Sequence, residues 1–230
     1  MKKLFSSLTA FERFLLLFSL TVITAAFIIF DGKDYISFIA SIIGAISLIF
    51  CAKGHPIGQV LIIIFSILYG IVALRVKYYG ELATYVLMTL PMAVYALIEW
   101  IRHPYDLQTR EVEVKKIGRR DVLALVISSV AVSVGFYFIL GFFKTPYLPL
   151  ATVSVLTSFS AVFLSAKRSP LYAIAYGLND LVLIALWALS LEESMGNISV
   201  LVCFSLFLIH DIYGFISWYK RGRNQRKETA

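Results

Sequence analysis

Residues 171–190 read LYAIAYGLNDLVLIALWALS. Twenty residues of α-helix span about 30 Å, the thickness of a bilayer's hydrocarbon core. The run is apolar except near its middle, where Asn179 and Asp180 stand side by side. An ionised carboxylate at the bilayer centre costs roughly 2.5–3.5 kcal/mol on insertion scales. A helix carrying that pair needs a facing partner, a watery pathway or a ligand.

The rest of the chain sets the context. Of its 230 residues, 60% are hydrophobic, against about 45–50% in soluble domains. Eight segments are long and apolar enough to cross a bilayer: 12–30, 35–52, 57–75, 81–101, 121–143, 147–166, 171–190 and 198–219. This predicts an all-α polytopic membrane protein built as a single membrane domain. The N-terminal MKKLFSSLTAFERFLLLFSL begins like a secretory signal. Glu12 and Arg13 interrupt it, however, and no A-x-A-like site follows, so it reads as a retained first span.

Eight spans place both termini on one side of the membrane. That side then holds 17 of the 21 lysines and arginines, leaving Lys33, Arg75, Lys77 and Lys144 on the other. The positive-inside rule puts both termini in the cytoplasm. The net charge of +7 is thereby explained as orientation signal, and no soluble segment is large enough for a nucleic-acid-binding domain. The same applies to the basic loop 102–120, whose EVEVKK alternation is compatible with a short strand.

An internal repeat organises the spans. The fourth ends YALIEW (Tyr95 to Trp100) and the eighth YGFISW (Tyr213 to Trp218). The second ends at Lys53 and the sixth at Lys167, each followed by a short proline turn. Spans 2–4 and 6–8 are thus two copies of a three-helix unit. Both copies run in the same sense, which requires one extra span between them. The predicted plan is 1 + 3 + 1 + 3: an N-terminal helix (12–30), a first bundle (35–101), a loop with a linker helix (102–143), a second bundle (147–219) and a basic tail (220–230). Parallel repeats of this kind belong to transporters whose substrate site lies near the midplane.

Polar residues cluster at that depth. Span 7 carries Asn179 and Asp180, span 8 carries His210 and Asp211, and the first repeat offers Ser66, Tyr69, Thr89 and Pro91. By i, i+3, i+4 spacing, Tyr176, Asn179, Asp180, Leu183 and Trp187 share one face of span 7. Cys203, Phe207, His210, Asp211, Gly214 and Trp218 share one of span 8. Aromatic walls beside hydrogen-bonding edges suit a flat, polar-edged ligand. The competing structural reading is an Asp180–His210 pair that locks the bundle. Trp100, Trp218, Tyr219 and Tyr105 are read first as an interfacial aromatic belt, and Gln59 as a solvated helix end. Pro91 is expected to break or kink its helix.

No Walker A, H-E-x-x-H or G-x-S-x-G sequence is present, and no carboxylate cluster for a metal occurs within one helix. The sequence therefore points away from an enzyme and to no cofactor and no metal. Cys51 and Cys203 form neither a disulfide framework nor a C-x-x-C pair.

The ordered set Lys53, Gly54, Gly58; Tyr78 to Glu81; Leu90 to Met92, Tyr95, Trp100; Asn179, Asp180, Trp187; Asp211, Tyr213 to Phe215 and Trp218 resembles the PnuC family of bacterial vitamin transporters. The resemblance runs from about residue 36 onward. It implies a SWEET-like fold with two three-helix bundles joined by a linker helix, a homotrimer, and residence in the bacterial cytoplasmic (inner) membrane. It implies facilitated uptake of nicotinamide riboside, a precursor for NAD synthesis, trapped inside by a cytoplasmic kinase. Relatives carry thiamine or other nucleoside-like vitamins, so a thiamine or deoxynucleoside carrier of the same fold is the alternative substrate reading, and a proton-coupled variant using Asp180, His210 and Asp211 is the mechanistic alternative. Asn179 matches a ligand-contacting Asn, and His210 stands where many members carry another. The chain departs from the family's Gln-Trp-x-x-Trp run, having Tyr172 and Ala175 at the Trp positions. The expected substrate contacts are Asn179, Asp180, Tyr176, Trp187, His210, Asp211, Tyr213 and Thr89.

Overall fold

Eight helices long and apolar enough to cross a membrane account for most of the chain in the computed structural model, which describes residues 8–75, 79–192 and 197–228. Helix α1 covers Ala10–Ala26 and ends in a π-helical turn, Phe27–Asp31. Then come α2 (Tyr35–Ala52), α3 (Ile57–Arg75), and α4, built from Tyr79–Ala83, a π-helical turn Thr84–Thr89, and Leu90–Arg102. Helices α5 (Arg119–Phe142), α6 (Leu148–Ala166), α7 (Leu171–Leu189) and α8 (Asn197–Glu228) follow. Among the described residues the only strand pairing is an isolated bridge between Pro104 and Val112. A backbone in hydrocarbon must satisfy its own hydrogen bonds, and helices do so within one segment.

The helices form a ring. Helix α2 packs on α3, α3 on α4, α4 on α6, α6 on α7, α7 on α8, and α8 back on α2. The two bundles therefore meet twice, at α2–α8 and at α4–α6. Rotating one repeat onto the other exchanges these interfaces. The outlying helices obey the same rule: α1 packs on α2 and α8, as α5 packs on α6 and the start of α4. The plan is thus two copies of a four-helix unit, with the first helix of each lying outside the ring.

The repeat extends to individual hydrogen bonds. In the α2–α3 turn, Gly54 N–H donates to Cys51 O (2.8 Å) and His55 N–H to Phe50 O (3.0 Å). In the α6–α7 turn, Arg168 N–H donates to Ser165 O (2.9 Å) and Ser169 N–H to Leu164 O (3.0 Å). Both turns need a left-handed residue, supplied by Gly54 (φ +66°) and by Arg168 (φ +58°). Only glycine adopts that conformation without steric cost. Arg168 is held there by its ion pair with Glu113 (3.0 Å) and by Lys115 N–H, which donates to its carbonyl (3.0 Å).

Trp100 and Trp218 are fully buried, not interfacial anchors. Trp100 Nε1–H donates to Ser165 O (2.8 Å) and Trp218 Nε1–H to Cys51 O (2.7 Å). Each bond joins one bundle to the other, and the two rings touch, with centroids 5.2 Å apart. Tyr219 is exposed, and Tyr105 donates a hydrogen bond to Glu228 at the end of α8. Gln59 is likewise buried, not solvated: its Nε2 donates to Ser165 Oγ across the bundles (3.0 Å).

The segment 103–118 does more than carry positive charge. It crosses the Trp pair as a strap, with Val112 fully buried over them. Val112 N–H donates to Gly54 O (2.9 Å), and Lys115 N–H to Arg168 O (3.0 Å), so the strap is pinned to both repeats. From residue 220 the basic tail is helical to Glu228. It continues as helix because the strap covers it: Gln225 accepts from Val114 N–H (2.8 Å) and donates to Val112 O (3.2 Å), and Arg221 pairs with Glu111 (3.2 Å).

Pro91 neither breaks nor ends α4. A proline ring clashes with the carbonyl one helical turn earlier, and the π-helical turn Thr84–Thr89 absorbs that misfit just ahead of it. Such turns concentrate at functional sites.

Candidate functional site

Helix α7 lies between α6 and α8, and its adjacent polar residues point to different neighbours. The Asn179 side-chain amide is clamped by two hydroxyls of α6, Thr157 (2.9 Å) and Ser154 (3.2 Å). Both hydroxyls donate to its Oδ1. Asp180 faces α8, where its carboxyl group adjoins that of Asp211. Both are buried, and Asp180 Oδ2 has no hydrogen-bond partner. Tyr176, one turn before Asp180, faces both carboxyls.

The other expected residues lie elsewhere. His210 does not pair with Asp180. Its Nε2 meets Ser19 Oγ of α1 (2.8 Å), while its Nδ1 is buried without a partner. Tyr213 Oη donates to Glu12 (3.0 Å) near the start of α1, and Glu12 also pairs with Lys53 (3.6 Å). Thr89 Oγ1 donates to Thr84 O (3.2 Å), within the π-helical turn. Trp187 belongs to an apolar cluster with Leu183, Cys203, Phe204 and Phe207. The structure thus brings Asp180, Tyr176 and Asp211 together, turns Asn179 onto α6, and holds His210, Tyr213, Thr89 and Trp187 at other contacts.

Two aromatic groups bracket this polar layer. Toward the basic face lie Trp100, Trp218 and Tyr172, with Tyr172 stacked edge-on to Trp218 at 4.9 Å and to Tyr176 at 6.0 Å. Toward the opposite face lie Phe65, Tyr69, Tyr85, Phe204 and Phe207, with Tyr69 and Tyr85 4.5 Å apart. The sequence reading missed Tyr85, and it missed Glu81, whose carboxyl hydrogen-bonds Tyr69. The i, i+4 spacing of Glu81 and Tyr85 was the available signal. Glu81 sits one turn inside its span, where a carboxylate reads as a solvated end.

A buried polar layer at mid-depth, flanked by aromatic groups and set between two pseudo-symmetric bundles, defines a transporter-type helical bundle rather than an enzyme site. The comparisons sharpen that class. The family model for the nicotinamide mononucleotide transporter matches residues 34–220, so the chain belongs to that family. The nicotinamide riboside transporter PnuC of Neisseria mucosa is 25% identical over 223 residues, covering 95% of this chain and 84% of the relative. A crystal structure of the vitamin B3 transporter PnuC superposes with a TM-score of 0.83 at 24% identity, covering 96% of both chains. That likeness establishes the fold. The expected PnuC family and all-α fold are borne out, and the protein is a multi-pass transporter of the bacterial inner membrane.

Proposed function

We propose that this protein is a facilitative carrier that takes up nicotinamide riboside for NAD synthesis. The observation that carries the reading is the pair Asp180–Asp211, buried in the membrane beside Asn179 and Tyr176. The pyridinium ring of the riboside is a cation and fits beside the carboxyls, Tyr176 offers a ring face or edge, and the Asn179 amide reaches a hydroxyl or the carboxamide.

Charge decides between the riboside and the mononucleotide. A phosphate carries about −1.5 to −2 at neutral pH. At about 5 Å and an effective dielectric near 20, each unit of repulsion against a carboxylate costs roughly 3 kcal/mol. No lysine or arginine among the described residues faces the pair. Arg221, further along α8, is committed to Glu111 and Ala52 O. The riboside is favoured by the sign of the site. Thiamine, also a cation, is the second reading, supported by Tyr172 and Ala175 standing where riboside carriers have Trp.

Transport on this reading is a rocking of the two four-helix units about the polar layer. Phosphorylation by a cytoplasmic kinase, which need not touch the carrier, traps the product. The assembly proposed is a homotrimer, for which α5 offers a broad exposed apolar face including Leu123, Val126, Ile127, Val130 and Phe138.

The test is thermal stabilisation of purified protein in detergent by nicotinamide riboside, the mononucleotide, thiamine and deoxynucleosides. A ligand at 100 times its dissociation constant stabilises by about 2.7 kcal/mol. The riboside alone should shift the transition, and Asn179→Ala should abolish the shift. Stabilisation by the mononucleotide instead would sink the reading.

A further inference from the structure

We propose that Asp180 and Asp211 share a single proton in the empty carrier, and that binding of a cationic ligand displaces it to solvent. The inference rests on the riboside reading above and deepens it: the site selects a permanent cation, and each cation bound costs the site one proton.

The argument is geometric. Two carboxylates placed together in a low-dielectric interior cannot both ionise, and carboxyl groups hydrogen-bond one another only through a proton on one of them. The two residues come from different helices, α7 and α8, and both side chains are buried. Every titratable group facing them is neutral under ordinary conditions. These are Cys51 on α2, Tyr85 on α4, Tyr172 and Tyr176 on α7, and Cys203 on α8. Phenols and thiols lose their protons only well above neutrality, near 10 and 8.5. His210, the neighbour of Asp211, is turned away onto Ser19. Glu81 is occupied by Tyr69. Among the described residues, no Lys or Arg side chain is directed at the pair to neutralise it.

A proton is therefore the only positive charge the protein itself supplies there. Asp180 Oδ2, buried and unpartnered, is the atom aimed at the ligand. A pyridinium brings a full positive charge to that oxygen and makes the dianion tenable. The balance is simple: the carboxyl O–H bond breaks, its electron pair stays on oxygen, the proton leaves to water, and the cation takes its place. No redox partner is needed. When the ligand departs, the pair takes a proton back.

The experiment is titration calorimetry of the purified carrier with nicotinamide riboside in buffers of different ionisation enthalpy, which counts protons. The uncharged dihydronicotinamide riboside serves as the matched neutral probe. About one proton should be released per riboside and none per dihydro analogue, and riboside affinity should rise about tenfold per pH unit while the proton is held. In Asp211→Asn the proton release and the pH dependence of riboside affinity should both vanish, whatever the affinity itself becomes. Asp180 then ionises alone against an amide donor. Riboside binding without proton release in the unmodified protein overturns the inference and leaves the transporter reading intact. Equal release by the neutral analogue overturns it too. Absence of binding by both probes removes the riboside reading and the inference with it.

Discussion

The two tryptophan bonds are the seal on the basic face, and their loss should open it by a calculable amount. Trp100 to Ser165 and Trp218 to Cys51 tie α4 to α6 and α8 to α2 near their ends, the second beside Ser217 and Arg221, which both donate to Ala52 O. Rocking open at that face must break both. Each carbonyl also accepts from a turn N–H, that of Arg168 or Gly54, so neither is orphaned when its tryptophan is replaced. The loss is then the net value of one hydrogen bond, about 1 kcal/mol. That is roughly a fivefold change in the open population for Trp100→Phe or Trp218→Phe, and about thirtyfold for the pair if the two add. The chain contains its own reporters. Cys51 is buried beneath the Trp218 bond, and Cys203 is buried near the opposite end of α8. The assay is the rate of labelling by a small thiol reagent. Cys51 should react about five times faster in either single variant, and Cys203 should be unchanged. Equal acceleration of both thiols would mean general loosening. An effect confined to one tryptophan would refute the equivalence of the two interfaces.

Further outcomes follow from the same contacts. Glu111→Gln together with Glu113→Gln removes the strap's ion pairs to Arg221 and Arg168; each partly exposed pair contributes under about 1 kcal/mol, so the melting temperature should hardly move while Cys51 labelling accelerates. Gly58→Ala places a methyl 2.6 Å from both the backbone N and the Sγ of Cys51, and overpacking of this kind costs about 1–3 kcal/mol; Gly214→Ala meets nothing nearer than 3.7 Å and should be neutral or mildly stabilising, as thermal unfolding will show. His55, in the α2–α3 turn, accepts from Ile57 N–H through Nδ1 (3.2 Å), and burial, with Arg110 nearby, lowers its pKa below 6.5. A lowered histidine pKa means the unfolded chain binds more protons, so this contribution is complete above about pH 6.5 and fades as pH falls toward the folded value. Unfolding midpoints measured from pH 7.5 to 5 should show a decline that is shallower in His55→Ala.

The spans were legible because hydrocarbon imposes one rule on every residue of a crossing, and length plus apolarity expresses it. The repeat was legible at Trp100 and Trp218 because a buried indole needs an acceptor at a fixed place, which holds sequence and geometry together. The strap was not. Its pairing depends on Gly54, Arg168, Val112 and Gln225, which are far apart in the chain, and its charges read equally well as topology signal. Gln59 was misread for the same reason: a polar residue near a helix end looks solvated until the element covering it is known. At the site, Asn179 and Asp180 were visible as an anomaly of position. Their divergence, one toward α6 and one toward α8, follows from the roughly 100° between adjacent helical residues and from α7 having a neighbour on each side.

The repeat also indicates how a ligand must lie. Aligning the turns at Pro56 and Pro170 pairs Phe65 with Asn179 and Ser66 with Asp180; aligning Trp100 with Trp218 pairs Ala93 with Asp211. The first unit therefore offers an aromatic ring, a small hydroxyl and a methyl where the second offers an amide and two carboxyls. Ser66 keeps a trace of polarity, since its hydroxyl is buried with no partner. The backbone symmetry gives both units the same freedom to rock, and the side chains divide the labour. A ligand bound at the pseudo-symmetric centre meets hydrogen bonds and charge from α7 and α8, and an apolar wall with a single hydroxyl from α3 and α4. Two identical halves would bind a two-fold symmetric molecule best. Halves that differ in this way suit a molecule that is charged on one edge and flat on the other.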